Sequence, residues 1–151
     1  MLGKPIGIFG GQGTDSIVLW PMKIAIPIWE GKVSPVFDCA SRLMVVDVQG
    51  RRQKKIIETA ITDSDLSRRC NKLKGLGVEL LICGAISSQL RNMLVALGIK
   101  VIPWISGQAE EVVHAYMDGS LCDGQFIMPG CGEEQLAEMT RVYYKERSKQ
   151  L

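Results

Sequence analysis

The chain has 151 residues, of which 46% are hydrophobic and 23% charged, with a formal net charge of +2. That length fills one core and hardly two, and so small a charge speaks against a nucleic-acid or membrane-surface protein. No apolar run approaches the ~18–20 residues that cross a bilayer, and the five cysteines contain no Cys-x-x-Cys pair, which excludes a zinc ribbon or disulfide scaffold and points to a cytoplasmic protein with free thiols.

Residues 1–21 read as a leader or tag-like extension, with Met22 as the working start. Gly7-Ile8-Phe9-Gly10-Gly11-Gln12-Gly13 imitates a phosphate loop, but Pro21 arrives before a helix can follow it. The domain proper spans 22–132. Residues 23–28, 43–48 and 54–59 are expected strands, the last two joined through Gln49-Gly50-Arg51-Arg52 as an antiparallel hairpin. Thr62, with Asp65 three residues on, reads as a capping box. It opens a helix whose stripe is Leu66, Cys70 and Leu73 and which stops at Gly75 or Gly77. A buried strand follows over 78–83. Ser87 or Ser88 then caps a helix with Leu90, Met93, Leu94 and Leu97 inward. Residues 99–104 form another buried strand, and 108–117 a helix that buries Val112, Val113, Tyr116 and Met117 and ends at Gly119. Residues 121–127 suit an edge segment. The tail, 133–151, carries a last helix over 133–147 whose Glu133 and Glu134 begin it and whose Lys145 and Arg147 end it, as the macrodipole favours.

This order describes an α/β fold: a single three-layer domain with a mixed five-stranded sheet, compatible with a ribonuclease H-like arrangement. Nuclease chemistry on such a frame needs several inward carboxylates for magnesium. Only Asp47, near a strand end, and Asp38, on a loop, are available in the early part. Ligands of open α/β sheets bind beyond the carboxyl ends of the parallel strands. Three glycine-bearing segments leave those ends, at 29–39, 83–87 and 103–107. Backbone amides near Ser87 and Gly107, where helices begin, favour an anionic group. A well-packed sheet rim accounts for the same glycines.

The block 22–47, Gly77-Val78-Glu79-Leu80-Leu81-Ile82-Cys83-Gly84-Ala85-Ile86-Ser87, Gly98-Ile99-Lys100-Val101-Ile102-Pro103-Trp104 and Met128-Pro129-Gly130-Cys131 together resemble the nitrogenase iron–molybdenum cofactor accessory family, the NifX/NifB-type cluster-binding domain. The resemblance covers 22–132. It implies a small ribonuclease H-like domain without catalysis that binds an iron–molybdenum or related metal–sulfur cluster. Such a domain passes its cluster to a cluster-assembly or acceptor protein. Where many relatives carry His-Phe-Gly this chain has Val36-Phe37-Asp38, so the protein–metal bonds move to thiolates, which suit such clusters. Cys131 and Cys39 are then the metal-ligand candidates. Cys39, Cys83, Gly84, Ser87, Ser106 and Gly107 are the candidates for lining the site.

Each thiol also has a plainer reading. Cys131, set between glycines before a helix start, is a ligand with a lowered pKa or a spare surface thiol. Cys39 and Cys83 are ligands or packing residues, Cys70 is a core residue, and Cys122 is the weakest candidate. His114 shares a helix face with Glu110, Glu111 and Asp118, a metal cluster or simply a solvated face. Trp29 and Trp104 line the pocket or pack at loop roots. A regulatory or protein-interaction domain that kept the fold and lost the cluster is the alternative function.

Overall fold

Strand β1, Met22–Trp29, alternates its side chains between two buried faces. Met22, Ile24, Ile26 and Ile28 enter one core and Ala25 the other, the period-two pattern of a strand covered on both sides. The computed structural model describes residues 22–48, 54–121, 124–135, 137 and 141. The expected leader over 1–21, the 49–52 connector, Cys122 and most of the span expected to form a C-terminal helix, 133–147, lie outside the described residues.

A two-residue turn, Glu30-Gly31, leads from β1 into the short β2, Lys32–Val33, with Ile28 opposite Val33 and Trp29 opposite Lys32. Both turn residues have positive φ, 54° and 79°, as a type I′ hairpin turn requires. Strand β3, Arg42–Val48, pairs antiparallel with β1, and β4, Lys54–Ala60, pairs antiparallel with β3 from Val48↔Lys54 to Arg42↔Ala60. The expected hairpin is therefore present. Pro27 sits within β1 opposite Leu43. Its carbonyl accepts from Ser34 N–H at 2.8 Å, on the β2 side, so its hydrogen-free nitrogen also faces that side and the β1–β3 ladder loses nothing.

The parallel half follows. Helix α1 is Leu66–Gly75, β5 is Leu80–Ile82, α2 is Ser88–Ala96, β6 is Lys100–Ile102 and α3 is Ala109–Asp118. β5 lies parallel to β1, and β6 parallel to β5, giving the order β4-β3-β1-β5-β6 with β2 beside β1. This is the expected mixed sheet of five strands, with the two-residue β2 added.

Two cores flank it. Ile24, Ile26, Val46, Leu80 and Ile102 pack under α3 with Val112, Val113 and Tyr116. Ala25, Leu43, Val45, Leu81 and Val101 pack under α1 and α2 with Leu73, Leu90 and Leu94. The three layers follow from these alternating inward faces.

Two local readings change. Helix α1 is capped by Asp65, not Thr62: its carboxylate accepts from Ser67 N–H at 2.8 Å and Arg68 N–H at 3.3 Å. Ile61, wholly buried and held by its N–H on Ser41 O, keeps the chain extended past Thr62. A carboxylate at the cap also answers the helix dipole. Among its described residues, the 121–127 segment contributes one antiparallel bridge, Ile105↔Ile127, and no strand.

Candidate functional site

All three predicted segments meet at the carboxyl end of β5 and β6, stitched by backbone hydrogen bonds. Val36 bridges Ala85 in parallel: Ala85 N–H donates to Pro35 O and Phe37 N–H to Ala85 O. Trp104 N–H donates to Gly84 O, and Val33 N–H to Gly107 O. A fourth segment joins them. Ser106 N–H donates to Phe126 O, Met128 N–H to Trp104 O, and Cys131 N–H to Met128 O. One backbone relay thus runs from the Cys39 turn, through residues 84–85 and Trp104, to Cys131.

The rim residues have clear local causes. Gly84 permits a backbone crossing: a Cβ there would stand 2.7 Å from Pro35 O and 2.8 Å from Ser34 O. Ser106 and Gly107 hold neighbouring chain through the bonds just described, so both lie in the stitched layer. Trp104 has φ 68°, a strained conformation for a bulky residue. Its N–H and carbonyl are both engaged, which fixes its half-buried side chain at the rim. Trp29, 60% exposed, ends β1 beside the β2 turn.

The thiols separate by burial. Cys39 ends the 3₁₀ turn Phe37–Cys39 and is exposed, its Sγ 3.9 Å from Val36 O. Cys131 is half-buried. Burial pushes its thiol above the ordinary value, opposite to the lowering that its glycine neighbours suggest. Cys83 is wholly buried among α2-side core residues. Burial pushes its pKa up strongly, the negative Asp38 adds to that, and Arg91 opposes it. In this structure the Cys83 thiol is packed in the core behind the rim, far from water and hard to ionise. Cys70 is likewise a core thiol.

Ser87 caps α2 through its hydroxyl, which accepts from Leu90 N–H at 3.2 Å. Its own amide is taken, because Ser87 N–H donates to Asp38 Oδ1 at 2.9 Å. Below the same turn lies Arg69, only 4% exposed. Its Nη1 donates to Phe37 O at 3.2 Å, and its guanidinium stands 5.7 Å from the centre of the Phe37 ring. Sequence reasoning missed both contacts. Asp38 is 49 residues from Ser87, and a basic pair such as Arg68-Arg69 gives no sign that one member points inward.

Among the described residues, no three His, Cys, Asp or Glu side chains group to hold a metal ion. His114 is exposed on α3 and lines a groove of about 370 Å³ with Glu110, Glu111 and Asp118. Asp118 is occupied there, its Oδ1 accepting from the amide and hydroxyl of Ser120. No described helix is long and apolar enough to cross a membrane.

The family model described as dinitrogenase iron-molybdenum cofactor matches residues 21–119. Among solved structures, the chain is similar to PH0822, at 23% identity and TM-score 0.62, over 65% of this chain and 90% of that one. It is also similar to the apo form of the orange protein from Desulfovibrio gigas, at 22% identity and TM-score 0.56, over 67% and 91%. A Thermotoga protein with a provisional NifB name matches at 25% identity and TM-score 0.53, over 66% and 90%. None of the curated proteins matches.

Proposed function

The chain belongs to the dinitrogenase iron-molybdenum cofactor family, and on that premise we propose that it is a non-enzymatic carrier for an iron–molybdenum or related metal–sulfur cluster. The cluster is cargo, held at the β5–β6 rim and passed to a cluster-assembly or acceptor protein. The observation that carries this reading is the backbone relay that links two accessible thiol positions, Cys39 and Cys131, along one edge. Thiolates are suited to iron–sulfur and molybdenum–sulfur chemistry. Two thiols at a solvent-facing edge leave most of a cluster uncovered, as transfer to a partner requires. In this reading residues 22–132 are the cargo domain, and 1–21 and 133–151 lie outside it. Gly84, Ser106 and Gly107 shape the rim through its backbone, and Ser87 starts the helix behind it.

The test is direct. Protein isolated without oxygen from its native host is expected to be coloured, with a visible sulfur-to-metal absorption band and measurable iron or molybdenum. The combined Cys39→Ser and Cys131→Ser variant is expected to lose that metal and fail to take up added cluster. A colourless wild type that gains no metal on adding cluster would overturn the proposal. Unchanged uptake in the double variant would overturn thiolate anchoring.

A second reading rests on the Asp38–Ser87 contact. A rim whose leading amide is already satisfied suits a regulatory or protein-interaction domain that no longer binds a cluster. A specific protein partner captured by a metal-free wild type at unchanged affinity after the double substitution would favour it.

A further inference from the structure

Among the described residues, Glu30 and Trp104 are the non-glycine positions with positive φ. Glu30 sits in the β1–β2 hairpin turn, which requires it. Trp104, at φ 68°, lies between β6 and α3, outside any hairpin. Its effect on the chain is visible next door. Continued in strand geometry, residue 104 would share the face of Ile102 and enter the α3-side core. The left-handed backbone interrupts that alternation, and Ile105 enters the core instead. The half-buried indole joins neither core. Glycine or asparagine takes up this backbone at lower cost, so a bulky residue persists there only where its surroundings over-determine it. They do: Trp104 N–H donates to Gly84 O at 3.0 Å, Ile105 N–H to Cys83 O at 3.0 Å, and Met128 N–H to Trp104 O at 2.8 Å. Among the described residues, no group accepts from the indole N–H.

Resting on the carrier reading, we propose that Trp104 is a specificity-determining residue of the rim: its indole N–H donates to a sulfide of the anionic metal–sulfur cargo, and its ring packs against that sulfur. An indole N–H donates and cannot accept, a bond to an anion is stronger than one to a neutral group, and sulfur packs favourably against aromatic rings. Trp104 stands midway along the backbone relay, between the segments that lead to Cys39 and to Cys131. Thiolates at those positions hold metal, whereas Trp104 reads the charge and softness of the sulfur around it. The strained backbone is what withholds this ring from the α3-side core and keeps it at the rim.

The experiment titrates full-length, isotope-labelled wild type with tetrathiomolybdate under anaerobic conditions and follows the indole N–H signals of its three tryptophans by proton–nitrogen NMR. The signal missing from Trp104→Phe belongs to Trp104. It is expected to move until saturation, and its proton to exchange more slowly with water. Affinity is read by visible absorption. Trp104→Phe keeps a ring and loses the donor, and is expected to bind at least about tenfold more weakly than wild type. Trp104→Gly suits the backbone and loses both ring and donor, so weaker binding still is expected. A Trp104 signal unmoved at saturation would overturn the proposal. Affinities in both variants within about twofold of wild type would do the same, as would an absence of binding by wild type. Where Trp104→Gly does not fold, Trp104→Phe is judged alone by the same comparison. Metal carried by wild type from its host tests the carrier reading separately. Native cluster with an unmoved indole signal removes the role of Trp104 and leaves the carrier intact. A moved signal and weakened variants with no native cluster keep the contact and remove the carrier.

Discussion

A buried thiol ties stability to alkaline pH. Cys83 ionises at its ordinary value of 9.0 when unfolded, whereas burial pushes it well above that in the folded protein. Between those values the folded state holds a proton that the unfolded state has released, so stability is complete below pH 9 and falls as pH rises. The loss is about 1.4 kcal/mol per pH unit for one such thiol. Denaturation midpoints at pH 8, 9 and 10 are expected to fall in wild type and to fall less in Cys83→Ala. Parallel declines would remove Cys83 as the cause. Gly84 makes a steric prediction at the same scale. An alanine Cβ would meet the Ser34 and Pro35 carbonyl oxygens below 3 Å, and backbone at that distance must shift. Gly84→Ala is expected to cost about 1–3 kcal/mol, checked by urea denaturation. Arg69 shows which contribution of a buried arginine dominates. Arg69→Met keeps the stem packed under Phe37 and removes a costly buried charge, so it is expected to stay within about 1 kcal/mol of wild type. Arg69→Ala removes the packing as well and is expected to lose about 2 kcal/mol more. Equal losses would mean that the hydrogen bond to Phe37 O outweighs the packing.

At the scale of elements, the β1–β2 turn is the least suited to its residues. Glu30 has φ 54°, a conformation that asparagine or glycine adopts at lower cost. Glu30→Asn is expected to raise stability by about 0.5 kcal/mol, read as a small rise in the thermal midpoint. A fall would show that the glutamate side chain makes a compensating contact. The turn was hard to read because its partner strand is two residues long and Pro27 obscures the end of β1. Long periodic elements were legible for the opposite reason. In α2 and α3 the buried residues Leu90, Leu94, Val112, Val113 and Tyr116 recur at helical spacing, and β5 and β6 carry unbroken apolar runs. The start of α1 was misread because Thr62 and Asp65 are both good caps, and only the anchoring of Ile61 decides between them. The rim was legible as three segments near strand ends. Its fourth segment and the Asp38–Ser87 contact depend on pairings distant in sequence, for which local pattern carries no signal.

At the scale of the molecule, the sheet and the rim are held by different forces, and they should open differently. Leu81 and Val101 lie in ladders with apolar cover on both faces, so their amides are expected to exchange hydrogen only when the whole domain unfolds. The rim amides of Ser106, Met128 and Cys131 are bonded to loop carbonyls, beside side chains that are half-buried. Such bonds break in local openings that leave the cores intact, and faster exchange is expected there. The same difference gives a test of the proposed seat of the cargo. A cluster seated at the rim stabilises only the closed form of these loops, so exchange at 104–107 and 128–131 is expected to slow when cluster is added. The exposed face of α3, with Glu110, Glu111, His114 and Asp118, is expected to be unaffected. Slowing confined to α3 would move the site to its acidic groove, and uniform slowing would signal global stabilisation without a located site. Protection at the rim alone would tie cargo binding to the loops that join Cys39 and Cys131, and leave the two cores as the rigid support on which those loops open and close.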